Sequence, residues 1–140
     1  MFKNIKPDSA REEVLELLTY AVLDHPERGE AALRAYQASD EWKLFGVEDE
    51  GLIVGVVGFE EREDGTIVLH HLAVLPENRH RGYGRGMLLT LIKERSPKRL
   101  MVDTDAEGAD FFRNVGFAVY GSEDLPDGGQ FHCVYEIDEE

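Results

Sequence analysis

Three glycines and two arginines crowd into a short stretch of the chain just before a leucine-rich run. The stretch is HRGYGRG, residues 80–86, and it follows an apolar segment, TIVLHHLAVLP, whose composition predicts a strand over 66–76. A helix begins with unpaired backbone N–H groups and about half a positive charge. Glycines beside them let an anion touch the main chain, because no Cβ stands in the way. The pattern therefore predicts a phosphate-binding turn at a helix N-terminus.

The spacing of these glycines narrows the kind of phosphate. The dinucleotide fingerprint requires G-x-G-x-x-G, whereas Gly82, Gly84 and Gly86 give G-x-G-x-G, and the chain has no G-x-x-x-x-G-K-[ST] run. Residues 79–99 carry seven Lys or Arg against one acid, a charge of +6, so the other 119 residues of a chain with net charge −14 sum to −20. A basic segment in an acidic protein favours a local anion site. A tight turn without a ligand, and a solvated basic helix face, are the alternatives.

Length and composition bound the remaining possibilities. The 140 residues, 42% of them hydrophobic, predict a single globular domain over 1–140. The sequence shows no apolar run long enough for a membrane span and no signal peptide, and it has one cysteine, so a cytoplasmic location is expected. The net charge of −14 argues against nucleic acid or a membrane as partner. Five histidines and one cysteine lack zinc-site spacing, so no metal is expected.

Hydrophobic periodicity predicts how the chain positions the glycine turn. The expected order is two helices, three strands, a helix, a strand, a helix and two strands. The helices fall within 8–24, 26–39, 84–95 and 106–117, and the strands within 43–64 (a hairpin turning at 49–51), 66–76, 98–105, 116–121 and 131–137. Strand–helix–strand units in the middle predict a mixed sheet with covering helices.

The segment LAVLPENRHRGYGRGMLLTLI, residues 72–92, resembles the central motif of the GNAT superfamily of acetyl-CoA-dependent N-acetyltransferases. The family's [QR]-x-x-G-x-[GA] maps onto Arg81, Gly84 and Gly86, and an offset match that starts at Arg79 is the alternative. GLIVGVVGFEE and GADFFRNVGF are similar to flanking family segments. The resemblance implies an α/β (α+β) GNAT fold: a mixed, mostly antiparallel central sheet with a splayed parallel strand pair, flanked by helices.

The resemblance also implies acetyl-CoA as cosubstrate. Backbone amides of the glycine turn would hold the pyrophosphate, the edge of the preceding strand would pair with the pantetheine amides, and the helix after the next strand would contact the coenzyme. The residues predicted to bind it are Leu72, Ala73, Val74, Arg79, Arg81, Gly82, Tyr83, Gly84, Arg85, Gly86, Phe111 and Arg113. For Phe111, core packing is an equal alternative.

Acetylation of an amine requires a neutral nitrogen, so an ammonium with a pKa near 10.4 must lose a proton. A base with a pKa near the working pH does this best, which favours histidine. His70 is the first candidate, His71 the second and Glu60 the third. Phe112 stands where family members commonly carry a tyrosine that protonates the departing thiolate. Tyr120 or Tyr83 could substitute for it, although a structural role is the alternative for each, and solvent could also protonate the thiolate because a thiol has a pKa near 8.5.

Acidic residues crowd outside the basic segment and suggest a cationic acceptor, although they could serve solubility alone. They are Glu60, Glu61, Glu63, Asp64, Asp103, Asp105, Glu107, Glu123, Asp124 and Asp127. The predicted function is transfer of an acetyl group from acetyl-CoA to a primary amine of a cationic small molecule or peptide, by direct transfer in a ternary complex. A non-catalytic acyl-CoA-binding or regulatory protein of the same fold is the alternative, and a nucleotide-binding module is a weaker one. The protein is expected to be a monomer or a homodimer.

Overall fold

A computed structural model describes residues 2–8, 12–21, 27–121 and 131–137. The helices are α1 (Glu12–Ala21), α2 (Glu27–Ala38), α3 (Tyr83–Arg95) and α4 (Ala106–Asn114), with short 3-10 turns at Lys6–Asp8 and Pro76–Asn78. The strands are β1 (Phe2–Asn4), β2 (Trp42–Asp49), β3 (Leu52–Glu61), β4 (Thr66–Val74), β5 (Arg99–Thr104), β6 (Ala118–Gly121) and β7 (Phe131–Glu136). The predicted acids Glu123, Asp124 and Asp127 lie outside the described residues.

The strands form one seven-stranded mixed sheet in the order β1-β2-β3-β4-β5-β7-β6. The pairs β1–β2, β2–β3, β5–β7 and β6–β7 are antiparallel, and β4–β5 is parallel. The parallel register comprises three residue pairs and ends at Val68↔Met101. The mixed sheet with one parallel pair and flanking helices confirms the predicted fold class.

Several elements differ from the sequence-based expectation, among them α4, which ends at Asn114 rather than 117. Strand β1 was not predicted, because three residues are too short to show an alternating pattern. Strand β4 ends at Val74 rather than 76, since Pro76 opens a 3-10 turn. Helix α3 begins at Tyr83, one residue before the predicted start at Gly84.

The contacts of the chain divide it into two compact units. The first unit comprises residues 1–60 and 71–95, and the second comprises residues 61–70 and 96–140. The prediction of one domain over 1–140 stays a prediction.

The first unit has a core in which side chains of α1 and α2 pack with inward residues of β2, β3 and β4. Its buried members are Ile5, Val14, Leu17, Leu18, Ala32, Tyr36, Leu44, Ile53, Val54, Val56, Ala73 and Leu75. The burial of this cluster follows from the 3.6-residue apolar period of α1 and from the buried run of β3. The core fixes β4, which leads into the glycine turn.

The second unit is built on an aromatic cluster between α4 and the β6–β7 hairpin. The Phe112 ring lies 5.0 Å from that of Phe117, which lies 5.5 Å from that of Tyr135. Asp105 caps α4 by accepting a hydrogen bond from the Gly108 N–H at 2.8 Å. Cys133 is fully buried on β7, and burial raises the pKa of its thiol.

No helix among the described residues is long and apolar enough to cross a membrane.

Candidate active site

The turn before α3 has a backbone suited to hold an anion. His80 and Gly82 have positive φ angles of 66° and 82°, and Arg81 between them does not. Alternation of this kind makes successive backbone N–H groups converge on one point, as in the anion-binding nests of other proteins. The first helical hydrogen bond runs from the Gly86 N–H to the Gly82 carbonyl at 2.8 Å. The N–H groups of Tyr83, Gly84 and Arg85 precede it and have no acceptor within the helix.

The space around these glycines is open. A Cβ built on Gly82 or Gly86 would meet no heavy atom within 4 Å. The positive φ of Gly82 explains glycine at that position. Gly86 lies inside α3, where alanine would form a better helix, and no packing contact of the described chain requires glycine there. A turn without a ligand therefore does not account for Gly86, whereas an anion that approaches the backbone does.

The side chains of the turn have separate tasks. The Arg79 Nε–H donates to the Val74 carbonyl at 3.1 Å, which ties the turn to the end of β4. Arg81 and Arg85 are exposed. The Tyr83 hydroxyl donates to Asp49 Oδ2 at 3.3 Å, and its ring packs on the core of the first unit, so this side chain anchors the first turn of α3.

The strand predicted to face the pantetheine lies in the same unit as the turn. Ala73 is buried and belongs to the core, while Leu72 and Val74 are half-buried. The Leu75 N–H donates to the Val54 carbonyl at 2.9 Å, which fixes the end of β4 to β3. A Cβ on Gly55 would lie 3.0 Å from the Met87 methyl, so this glycine allows α3 to approach β3. The role of Leu72–Val74 toward a coenzyme stays a prediction.

His71, the second candidate base, has its Nδ1 engaged in the first unit. The Tyr36 hydroxyl lies 2.7 Å from His71 Nδ1, and Trp42 packs edge-on against the Tyr36 ring. Tyr36 is fully buried, and burial raises the pKa of its phenol well above the usual value. Gly58 makes room for this pair, since a Cβ there would overlap the Tyr36 hydroxyl.

The chemistry of the phenol assigns the proton of this pair. The hydroxyl stays protonated, and within the part of the chain that the structure describes its one hydrogen-bond partner is His71 Nδ1. A buried donor is almost always satisfied, so the phenol donates and Nδ1 accepts. A neutral His71 then carries its proton on Nε2, and the lone pair of Nδ1 is occupied by the hydrogen bond from Tyr36, so neither nitrogen is free to act as a base. The geometry thus favours a structural role for His71.

His70, the first candidate base, belongs to the opposite face of β4 and to the second unit. It lies two residues beyond Val68, whose register partner is Met101, so His70, Val68 and Met101 share one face of the sheet. Asp103 lies two residues beyond Met101 and shares that face. The His70 side chain is half-buried.

Tyr120 is the sequence-predicted residue that the structure brings onto the same face as His70. Asp103 and His132 are register partners in β5–β7, and Tyr120 and His132 are register partners in β6–β7. Register partners project to one side of a sheet, so Asp103, His132 and Tyr120 are neighbours across three strands. His70 shares their face on β4, beyond the last register pair of β4 with β5. Glu60, the third candidate base, is a half-buried residue of the first unit and pairs in register with Trp42.

His132 is a residue that sequence reasoning missed. Its Nδ1 lies 2.7 Å from Asp103 Oδ1, which makes a carboxylate–imidazole pair on an open surface. The alternation in FHCVYE places His132 on the face opposite to buried Phe131 and Cys133, but no local signal identifies Asp103, 29 residues away, as its partner.

The predicted coenzyme contacts on α4 are divided between surface and core. Phe111 is 36% exposed, whereas Phe112, at the position of the family's tyrosine, is buried against Phe117. The Arg113 guanidinium donates to Asp110 Oδ1 at 2.6 Å. Phe111 thus has surface to offer a ligand, and the roles predicted for Phe111 and Arg113 stay predictions. The described residues contain no group of three or more His, Cys, Asp or Glu side chains that could hold a metal ion.

Comparison with solved structures places the fold among known acetyltransferases. An aminoglycoside 6′-N-acetyltransferase complexed with coenzyme A has a TM-score of 0.77 at 16% identity, over 100% of this chain and 98% of that one. A GNAT family acetyltransferase from Elizabethkingia anophelis with acetyl-CoA bound has a TM-score of 0.73 at 13% identity, over 98% and 97% of the two chains. Identities this low show the fold alone.

Sequence comparison identifies the family. A curated relative from Bacillus methanolicus, an uncharacterized N-acetyltransferase in the lysA 3′ region, is 29% identical over 59 residues, which span 42% of this chain and 49% of that protein. The family profile described as "Acetyltransferase (GNAT) domain" matches residues 40–119, which include β2 through α4 and the whole glycine turn. Because the profile covers more than half of the 140 residues, the chain belongs to the GNAT family of acetyl-CoA-dependent N-acetyltransferases.

Proposed function

We propose that this protein transfers the acetyl group of acetyl-CoA to a primary amine of a cationic small molecule or peptide, by direct transfer in a ternary complex and within one domain over 1–140. The observation that carries the proposal is the open backbone at the N-terminal end of α3. No packing contact of the described chain requires a glycine at position 86. Family membership supplies the identity of the anion as the coenzyme's pyrophosphate.

The residues of the turn fit a diphosphate. The positive φ angles of His80 and Gly82 and the open space beside Gly82 and Gly86 support a phosphate cradle made by this turn and the first N–H groups of α3. Arg81 and Arg85 are exposed and add positive charge to the field of the helix dipole. The coenzyme supplies a thioester, an acyl group activated toward attack by an amine.

The chain's own residues would manage protons in this reaction. His70 would take the proton of the acceptor ammonium and leave a neutral nitrogen, which forms the C–N bond as the C–S bond breaks. The sulfur leaves with the bonding electron pair and takes up a proton from Tyr120 or from water, and the proton that the new amide nitrogen must lose replaces the one given up. His70 and Tyr120 share one face of the sheet in the second unit, which supports their joint assignment. The net charge of −14 favours a cationic acceptor.

One observation favours a second candidate function, an acyl-CoA-binding or regulatory protein without turnover. Phe112 occupies the position of the family's proton-donating tyrosine, and its ring is buried against Phe111 and Phe117. A phenyl ring cannot donate a proton. A slow or absent chemical step with intact coenzyme binding would follow if no other group took over.

Gly86→Ala tests the cradle, because it separates folding from ligand binding. The methyl group meets nothing in the described chain and improves helix propensity, so we expect the free energy of unfolding to rise by about 0.5–1 kcal/mol. The same methyl would occupy space against the diphosphate, so the Kd of CoA should rise at least about tenfold. Thermal unfolding and calorimetry with CoA measure the two effects.

Gly51→Ala is the matched control, since Gly51 lies in the β2–β3 hairpin with φ 84° and open surroundings. This variant should lose stability and keep its CoA affinity. An unchanged CoA affinity in Gly86→Ala would refute the cradle.

Release of CoA thiol with a panel of amines then distinguishes enzyme from binding protein, and His70→Ala should lower turnover while CoA still binds.

A further inference from the structure

Part of the sheet in the second unit presents three polar side chains, of which the proposed reaction uses only Tyr120, as a proton donor to the departing sulfur. Asp103, His132 and Tyr120 are cross-strand neighbours on β5, β7 and β6. Their side chains are accessible: Asp103 is 69% and His132 42% exposed, and Tyr120 is 60% exposed. The buried residues Phe131 and Cys133 lie on the opposite face of the sheet, so the three polar side chains are not part of the hydrophobic core. We call these three residues the β5–β7 row.

The hydrogen bond between Asp103 and His132 decides what the row offers a ligand. An ionised carboxylate only accepts hydrogen bonds, so His132 Nδ1–H donates to Asp103 Oδ1. A neutral His132 then has its lone pair on Nε2. The second oxygen of Asp103 also accepts, and the Tyr120 ring offers its negative face. The row therefore matches a ligand that carries positive charge and several N–H donors.

The charges around the row do not cancel this preference. Arg99 lies on the same face of β5, four residues before Asp103. Its guanidinium is held by Glu136 at 3.3 Å, Asp64 at 3.8 Å and the Thr66 hydroxyl at 3.0 Å. These contacts hold the Arg99 guanidinium near the start of β4 and the end of β7. The Asp103 carboxylate thus keeps its charge available to a cation.

We propose that the β5–β7 row binds a second ammonium group of the acetyl acceptor, so that the acceptor is a diamine or polyamine. The inference rests on the proposed function, in which His70 receives the proton of the reacting amine. His70 and His132 lie on one sheet face with β5 between their strands, so they are at least roughly 10 Å apart. The two ammonium groups of the acceptor therefore stand at least about two strand spacings apart.

The test compares 1,8-diaminooctane with n-octylamine, which have the same carbon chain and differ in the second ammonium. In the unmodified protein, kcat/KM for the diamine should exceed that for the monoamine at least about tenfold. Asp103→Asn removes the charge, and we expect the ratio to fall about fivefold, through a higher KM for the diamine, as for an ion pair on an exposed surface. High salt should reduce the ratio as well, because the row is exposed.

Glu136→Gln is the matched control, because Glu136 is an exposed carboxylate on the same face of β7 that pairs with Arg99. It should leave the diamine-to-monoamine ratio unchanged. An unchanged ratio in Asp103→Asn would overturn the proposal. So would an equal loss of kcat with both amines in His132→Gln, because that result would make His132 the proton acceptor of the reacting nitrogen.

Calorimetry with 1,8-diaminooctane in the presence of CoA separates this inference from the proposed function. Diamine binding that is lost in Asp103→Asn, without turnover of any amine, would uphold the row and refute the transferase activity. Turnover of both amines with no dependence on Asp103 would do the reverse.

Discussion

Two histidines of this protein make hydrogen bonds of equal length with opposite chemical consequences. His71 Nδ1 lies 2.7 Å from the hydroxyl of Tyr36 in the first unit, and His132 Nδ1 lies 2.7 Å from a carboxylate oxygen of Asp103 in the second. The phenol donates its proton, whereas the carboxylate accepts one. His71 therefore holds its proton on Nε2 and His132 holds it on Nδ1.

The Tyr36–His71 and Asp103–His132 pairs also differ in solvent exposure. Tyr36 is fully buried and packs against Trp42, while Asp103 and His132 are largely exposed. The Tyr36–His71 hydrogen bond satisfies polar groups inside a core, so its loss should lower the free energy of unfolding. The second stabilises the fold little, because exposed ion pairs contribute at most about 1 kcal/mol, and so it is available for a ligand. Each prediction below tests one side of this contrast.

The largest effect is expected from Gly58→Ala. The added methyl would overlap the Tyr36 hydroxyl, so either the tyrosine or strand β3 has to move. Overpacking of this kind costs about 3 kcal/mol or more, a large share of the stability of a small domain. Denaturant unfolding measures the loss. A variant as stable as the parent would show that Tyr36 does not depend on the space above Gly58.

Tyr36→Phe should have an intermediate effect. The substitution keeps the ring and its contact with Trp42, and it removes the proton that His71 Nδ1 accepts. We expect the free energy of unfolding to fall by about 1–3 kcal/mol. Tyr135→Phe is the control, because among the described residues the Tyr135 hydroxyl has no hydrogen-bond partner. Equal losses in the two variants would contradict the importance of the Tyr36–His71 bond.

The smallest effect concerns the protons alone. At alkaline pH, where both imidazoles are neutral, nitrogen NMR should find the His71 proton on Nε2 and the His132 proton on Nδ1. Asp103→Asn should relax the preference of His132 and leave His71 unaffected. The same tautomer at both histidines would contradict the proposed difference between the Tyr36–His71 and Asp103–His132 hydrogen bonds.

The glycine turn was predictable from sequence, because its parts are contiguous. The strand, the turn residues and the first helical turn all fall between Thr66 and Gly86, so local rules for strands, helix starts and backbone approach apply directly. The mixed sheet followed from the order of elements, and the parallel β4–β5 pair from the family resemblance. The short β1 and the exact bounds of elements such as β4 and α3 were not predicted.

The histidine pairs were not predictable, because their members come from distant parts of the chain. Tyr36 and His71 are 35 residues apart, and Asp103 and His132 are 29 apart. The sequence identified His70 and His71 as neighbours on a strand with opposite faces, but sheet register decides which partners each face meets. No local signal in the sequence identifies His132 as the cross-strand neighbour of Tyr120.

The buried position of Cys133 has a practical consequence for the assay of this enzyme. It is the sole cysteine of the chain, it is fully enclosed on β7, and burial raises the pKa of its thiol, so little thiolate forms at neutral pH. A chromogenic disulfide reagent added during turnover would thus react with liberated coenzyme and leave the native protein untouched. Slow colour development in a blank without acetyl-CoA would instead report transient unfolding around β7.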